Sequence, residues 1–456
     1  MAAPVTRDEE LELDIESLAY GGNGVARLDG FVVFVRSGLP GDRVRARVTK
    51  VKRGYAEAFA TNVVRAGPHR VDAPCEHFPA CGGCRFQNLA YETQLEQKHA
   101  QVRDALQRIA GIPEPPLLDI VPCQPEVFHY RNKMEYSFTS TPEGPALGLH
   151  RAGRWDEVLD IRKCWLTTDV GNGIRDAVRD WAREEGLEPY SQKDNTGYLR
   201  HLVVREGRNT GQVLVQLVTA PGEKFEPGYF VEVVRRFPEV RSVHWSVNDR
   251  PAEVTNLPSK LLWGEAWIEE EIGGLRFRVR PNAFLQTNTA MAERLYVLAA
   301  DAAALTGSET VWDLYCGTGS IGLALAGSAR RVIGVEIVEE AIERARENAL
   351  ANGVANVQFV CADAGKAPRD LIAEGLPAPD VIVLDPPRAG MTPKAARRVA
   401  ELGAKRIIYV SCNPTTLAGN APMLAEGGYE LVRLRPFDLF PHTPHVECVA
   451  RFERTA

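Results

Sequence analysis

The sequence predicts a multidomain α/β protein: a small amino-terminal β-barrel, a central mixed α/β domain carrying a cysteine cluster, and a carboxyl-terminal Rossmann-like domain. Three observations carry this reading. Short β-rich runs alternate with turns over residues 11–66, the punctuation of a small barrel. Cysteines 75, 81 and 84 follow the breaks Gly67-Pro68 and Ala73-Pro74. From Pro281 onward strand and helix patterns alternate regularly, which predicts a parallel sheet covered on both faces. The boundaries fall at 1–68, 69–280 and 281–456, roughly the three domains expected of 456 residues.

Composition narrows the class. Hydrophobic residues at 45% and charged residues at 25% describe a soluble chain, and no apolar run approaches membrane-spanning length. Met1 to Asp14 is acidic and lacks a basic segment followed by an apolar one, so no signal peptide and no membrane association is expected. Nine cysteines, an odd count, favour a reducing, cytoplasmic setting over a disulfide framework. Net charge is -6, which argues against a general polyanion binder, yet nine Lys or Arg stand between Arg36 and Arg70 against Asp42 and Glu57.

In the barrel, strands are expected at Leu11–Ile15, Phe31–Val35 and Val44–Val51. Arg43, Arg45 and Arg47 alternate with Val44, Ala46 and Val48, so one face of the strand is cationic and the other packs inward. That face suits an RNA backbone, with Tyr55 and Phe59 as possible stacking groups; a solvated edge strand is the bland alternative. A helix is expected over Tyr91–Ala110. The next 170 or so residues mix strands and helices without repeats. Strands then follow at Thr310–Leu314, Arg331–Val338, Val357–Cys361, Val381–Leu384 and Arg406–Val410.

The first of these runs into Tyr315-Cys316-Gly317-Thr318-Gly319 and a helix over Ile321–Ala326, where glycines let backbone approach a nucleotide. Glu336, nineteen residues after Gly317, ends the next strand, where a carboxylate accepts ribose hydroxyls. Asp363 ends the third, in reach of an adenine. Asp385-Pro386-Pro387-Arg388 ends the fourth, its prolines stiffening the turn; it is similar to the fourth-strand motif of S-adenosylmethionine-dependent methyltransferases. Ordinary turns and caps explain each feature singly but not the set.

Cys412 ends the fifth strand, just before Asn413-Pro414, at the strand edge where open α/β sheets bind ligands. Oxygen and nitrogen acceptors need no enzyme nucleophile; carbon-5 of a pyrimidine does, because a thiolate adding to carbon-6 makes it electron-rich. A base must then remove the carbon-5 proton, and Glu447, among apolar neighbours at the entrance to a final strand, is the candidate.

Together these residues resemble the RNA uracil-5-methyltransferases over nearly the whole chain. Phe284-Leu285-Gln286-Thr287-Asn288, Ser411-Cys412-Asn413-Pro414-Thr415-Thr416-Leu417 and Asp438-Leu439-Phe440-Pro441-His442-Thr443-Pro444-His445-Val446-Glu447 carry the match. The resemblance implies S-adenosylmethionine as methyl donor, held by Gln286, Tyr315, Gly317, Glu336, Asp363 and Asp385. It makes Cys412 nucleophile and Glu447 base, stacks Phe284 on a flipped base and turns Arg131 and Lys133 toward RNA. The barrel resembles a TRAM domain of oligonucleotide-binding type, which suits the 23S rRNA branch. Cys75, Cys81, Cys84 and Cys164 match the spacing of the branch with a four-iron, four-sulfur (4Fe-4S) cluster; zinc is the less favoured occupant. No obligate protein partner is implied. Leu285 and Ala418-Gly419-Asn420 depart from the family pattern without removing a needed group.

Other readings are a tRNA uracil-5-methyltransferase, an RNA cytosine-5-methyltransferase, and an inactive cluster-bearing RNA-binding or redox-sensing protein. Pro122-Cys123-Gln124, similar to a DNA methyltransferase motif, precedes the glycine loop and is read as coincidence. Cys316, Cys361 and Cys448 are expected to be packing residues, and Arg200-His201 either phosphate contacts or paired charges.

Overall fold

The computed structural model describes residues 3–222 and 224–455. Its amino-terminal strands are β1 (Glu10–Asp14), β2 (Ser17–Leu18), β3 (Gly24–Leu28), β4 (Phe31–Arg36), β5 (Arg43–Val51) and β6 (Tyr55–Arg65), joined in the order β1-β5-β6-β4-β3-β2. Val33, Val35, Val44, Ala46 and Val48 fill the core, as period-two alternation requires. The outward arginines of β5 correct the expectation of an open cationic face. β1 pairs antiparallel with β5, setting Asp14, Glu12 and Glu10 opposite Arg43, Arg45 and Arg47. Arg43 and Arg45 reach Glu12 at 3.5 and 3.2 Å. Cross-strand carboxylates thus pair two of the three arginines of this stripe.

The central region contains α1 (Tyr91–Arg108), β7 (Lys133–Thr141), β8 (Gly144–His150), β9 (Val158–Asp160), α2 (Asp169–Glu184), β10 (Leu199–Gly207), β11 (Gln212–Thr219), α3 (Pro227–Val234), β12 (Val240–Val247) and β13 (Lys260–Gly264). Its sheet runs β13-β12-β11-β10-β7-β8-β9, with Trp181 and Phe230 in the core that α2 and α3 share with it. A hairpin of β14 (Ile268–Ile272) and β15 (Leu275–Val279) turns at Gly273-Gly274, both at positive φ.

The remaining elements are α4 (Thr289–Ala303), β16 (Thr310–Leu314), α5 (Ser320–Ala326), β17 (Arg331–Glu336), α6 (Glu339–Ala351), β18 (Val357–Cys361), α7 (Pro368–Ala373), β19 (Val381–Leu384), α8 (Pro393–Glu401), β20 (Arg406–Ser411), α9 (Pro414–Glu426), β21 (Tyr429–Phe437) and β22 (Glu447–Arg454). The sheet order is β18-β17-β16-β19-β20-β22-β21. β16 to β20 are parallel and β22 is antiparallel to both neighbours. Apolar layers cover both faces, which is why these strands read as continuous Val, Ile and Leu runs. β17 stops at Glu336 rather than Val338: the Glu336 side chain accepts the amides of Ile337 and Val338 at 2.8 and 3.1 Å and ends the ladder. Among the described residues no helix is long and apolar enough to cross a membrane.

Candidate active site

Five parallel strands bring Tyr315, Glu336, Asp363, Asp385 and Cys412 to one edge, because each stands at or just past the carboxyl end of its strand. Tyr315 adopts φ 66°, rare outside glycine, and turns the chain out of β16. Gly319 lets that turn pack, since a Cβ there would stand 2.7 Å from the Phe359 ring. Glu336 also accepts the Gly317 amide at 3.3 Å, bridging the glycine loop to the next strand. Asp363 accepts the Gly365 amide at 2.9 Å and pairs with Lys366 at 2.7 Å. Beside Glu336, Ile337 and Val338 leave apolar surface in water at 64% and 53% exposure. Held carboxylates beside a bare apolar shelf and an open glycine loop fit an adenosine moiety. Asp385 borders the cleft, and desolvation pushes its carboxyl up to about 7.

The β20–β22 register pairs Ser411 with Cys448, so Cys412 and Glu447 are the next residues to face one another as the strands part. Asn413 caps α9, accepting the Thr415 amide at 3.0 Å, and its side-chain amide donates to the Arg388 carbonyl at 3.3 Å. Cys412 therefore sits at a helix amino-terminus, which favours thiolate. Burial nevertheless raises its pKa, Glu447 adds to the rise, and Arg388 opposes it. Glu447 is 5% exposed, and burial, with a further push from Asp385, holds its carboxyl up to about 8. Arg388 and Lys98 pull it back. Tyr20, from the turn after β2, packs on the same core and has Cys412, Arg388 and Glu447 among its charged neighbours.

That proton has a thermodynamic consequence. Folded Glu447 keeps it up to about 8, whereas the unfolded carboxyl loses it near ~4.3. Stability therefore declines as pH rises between those values. Glu447→Gln is expected to be more stable than the parent at pH 8 by roughly 2–4 kcal/mol, with the gap closing near pH 4.5; urea unfolding at the two pH values measures it.

The segment leading to Glu447 is held by distant parts of the chain. Lys98 donates to Asp438 at 2.6 Å and to the Phe440 carbonyl at 3.1 Å, and both ionic side chains are buried. Tyr91 donates to Asp438 at 3.0 Å. His442, at φ 62°, lies against Phe128 with ring centroids 4.2 Å apart, and its amide donates to the Gln94 side chain at 3.0 Å. The Arg85 and Phe86 amides donate to its carbonyl at 2.7 and 3.1 Å. Burial pushes both His442 and His445 down to about 4, so both are neutral. Lys98→Met strands the Asp438 carboxylate and is expected to cost about 3–5 kcal/mol, with part recovered in Lys98→Met/Asp438→Leu, as denaturant midpoints will show.

Asn132 fastens the central region to the Gln286 segment: its side chain donates to the Gln286 carbonyl at 3.0 Å and its amide to the Thr287 carbonyl at 2.8 Å. The adjacent groove of about 610 Å³ is lined by Phe284, Arg131, Lys133, Arg151 and Arg205. Phe284 is 66% exposed. Lys133 pairs with Glu135, while Arg205 is buried and donates to the Ala283 carbonyl at 2.5 Å. Cys75, Cys81, Cys84 and Cys164 line one separate cavity, which shares Gly83, Leu149 and Leu166 with the groove. All four are free thiols. Among the described residues, however, no group of three or more His, Cys, Asp or Glu side chains is arranged to hold a metal ion, so neither a cluster nor a zinc site is shown.

Several secondary expectations are also resolved. Arg200 is internally satisfied, donating to the carbonyls of Asn248, Arg250, Pro251 and Ala252, and His201 is buried beside Ser137. Cys316 and Cys448 are buried as expected; Cys361 is not, because it ends edge strand β18. Cys123 is buried, its amide donating to Tyr91. Asp438 and His442 were legible only as members of the motif that runs into Glu447, while Lys98 and Tyr20 had no local sequence signal, because each gains meaning only from contacts hundreds of residues away.

A seven-stranded sheet with one antiparallel strand, a glycine loop and carboxylates at successive strand ends define a nucleotide-dependent methyltransferase architecture. The model of the tRNA (Uracil-5-)-methyltransferase family matches residues 265–455, and that of the TRAM domain matches residues 4–61. The chain is 40% identical over 453 residues to an uncharacterized RNA methyltransferase of Halalkalibacterium halodurans, spanning 99% of this chain and 98% of that one. One from Caldanaerobacter subterraneus is 38% identical, over 99% and 100%. The crystal structure of Pyrococcus abyssi tRNA (uracil-54, C5)-methyltransferase with S-adenosyl-L-homocysteine superposes with TM-score 0.78 at 30% identity, over 97% of this chain and 100% of that one. The chain belongs to the RNA uracil-5-methyltransferase family and is an S-adenosylmethionine-dependent RNA methyltransferase with an amino-terminal TRAM domain.

Proposed function

We propose that this enzyme methylates carbon-5 of a uridine in 23S rRNA through a transient bond between Cys412 and carbon-6 of the base. The observation that carries the covalent step is the register that sets Cys412 opposite Glu447. Cys412 Sγ adds to carbon-6, and the ring electrons displaced onto carbon-5 make it the nucleophile. S-adenosylmethionine, when bound, supplies the methyl group. Glu447 then takes the carbon-5 proton, and the electron pair left behind expels Cys412 and restores the ring. Arg388 is the cation that favours the charged forms of both residues. Tyr315, Gly317, Glu336, Asp363, Asp385 and Gln286 hold the donor, while Phe284, Arg131 and Lys133 receive RNA.

Transfer RNA is the competing substrate, because the Pyrococcus abyssi neighbour matches 97% of this chain and so extends over the barrel. Incubating the enzyme with 23S rRNA and tRNA transcripts and digesting to nucleosides tests both. We expect 5-methyluridine in the 23S rRNA. Its appearance in tRNA alone would move the substrate, and 5-methylcytidine would contradict the chemistry.

We further propose that Cys75, Cys81, Cys84 and Cys164 hold a structural four-iron, four-sulfur cluster. The support is an all-thiol donor set around one cavity, the kind of set that holds such a cluster. Anaerobically purified protein should contain about four iron and four sulfide per chain; stoichiometric zinc would contradict this. Nine free thiols and an RNA substrate support a cytoplasmic location.

A further inference from the structure

Tryptophan carries a large apolar surface and is seldom left bare. Of the seven tryptophans only Trp155 is exposed, at 73%. It sits at the tip of the β8–β9 connection, outside every apolar core. A mobile tip would explain little, but this one is braced. Arg36 from the barrel donates to the Ala152 carbonyl at 2.8 Å, and Gly153 gives the guanidinium room, since a Cβ there would come within 2.8 Å of it. Ala152 donates to the Ala80 carbonyl at 2.8 Å, Gly82 donates to that of His150 at 2.9 Å, and Arg151 and Arg154 close the turn. The barrel and the cysteine segment thus fix the turn that carries this exposed indole.

The connection adjoins the groove. Arg151, four residues before Trp155, lines it together with His150, and Phe284 lines it as well. The lining holds Arg131, Lys133, Arg151 and Arg205 against the carboxylate of Glu135, which pairs with Lys133, while Glu157 from outside the lining pairs with Arg151, leaving a net positive charge that suits a polyanion. A rigid bare aromatic beside a cationic groove is the arrangement that holds unpaired bases by stacking.

We propose that Trp155 is a stacking platform for a second unpaired nucleobase of the RNA substrate, flanking the uridine that enters at Phe284. This rests on the RNA-methylating reading above. The test compares full-length Trp155→Ala and Trp155→Phe with the parent, using a 23S rRNA fragment that the parent methylates, in steady-state kinetics and equilibrium RNA binding. Trp155→Ala is expected to weaken RNA binding and raise KM for RNA by at least about tenfold, the loss lying in KM rather than kcat. KM for S-adenosylmethionine should stay put, and Trp155→Phe should recover most of the affinity. Unaltered RNA affinity in Trp155→Ala, or no recovery with phenylalanine, overturns the proposal. Absence of methylation by the parent enzyme would instead strike the underlying reading.

Discussion

Cys412→Ala is expected to abolish methyl transfer, lowering turnover by at least about 10⁴-fold while leaving binding of S-adenosylmethionine and RNA within a few-fold of the parent. Deleting the sulfur removes the nucleophile proposed for the end of β20, and without its bond to carbon-6 the carbon-5 stays electron-poor. The substitution is structurally mild. Cys412 is half-buried, and the capping of α9 belongs to Asn413. Initial-rate measurements beside equilibrium binding separate the two effects; a residual rate within tenfold of the parent would mean that the thiol is not the nucleophile.

Glu447→Gln has the second largest effect and a different signature. Turnover is expected to fall by about 10²–10⁴-fold, the span of a lost proton-transfer group. Cys412 still adds to the ring, but the carbon-5 proton has no acceptor, so enzyme and methylated RNA remain joined. A denaturation-resistant band with ordinary, unfluorinated RNA is therefore the expected observation, present in Glu447→Gln and faint in the parent. The parent's activity should also climb with pH toward about 8, where the buried carboxyl gives up its proton; the glutamine variant should lose that part of the rise and keep only the part due to ionisation of the Cys412 thiol. The same burial that equips Glu447 to hold a proton weakens the fold at alkaline pH, a case of strain concentrated at a working site.

The carboxyl-terminal half was the most legible part of the sequence. The central strand β19 is buried on both faces and reads as an uninterrupted Val, Ile and Leu run, and β16 and the edge strand β18 also lie over the residues that the sequence pattern predicts. α1 ends at Arg108, close to the expected Ala110. Residues that gather at the carboxyl edge of a parallel sheet share a cleft whatever loops intervene, so Tyr315, Glu336, Asp363, Asp385 and Cys412 could be grouped by strand order alone. Their roles remain proposals.

Pairing across long distances was not legible. The arginines of β5 read as a free cationic stripe because nothing local announces that β1 lies against them with its carboxylates in register. Lys98 lies within the helix expected over Tyr91–Ala110, where nothing local distinguishes it. Only the fold buries it on Asp438, 340 residues away, where it holds the strap that positions Glu447. Trp155 passed unnoticed for the opposite reason: a tryptophan is ordinarily core, and its exposure emerges only once the barrel and cysteine segment brace the turn around it.

The most direct measurement is mass spectrometry of enzyme trapped on RNA carrying 5-fluorouridine with S-adenosylmethionine present, because fluorine at carbon-5 cannot be removed as a proton. The account predicts one cross-linked peptide, spanning Cys412 and increased by the mass of a methylated fluorouridine nucleotide. An adduct mapped to another residue, or none formed under conditions where unmodified RNA is methylated, would contradict it.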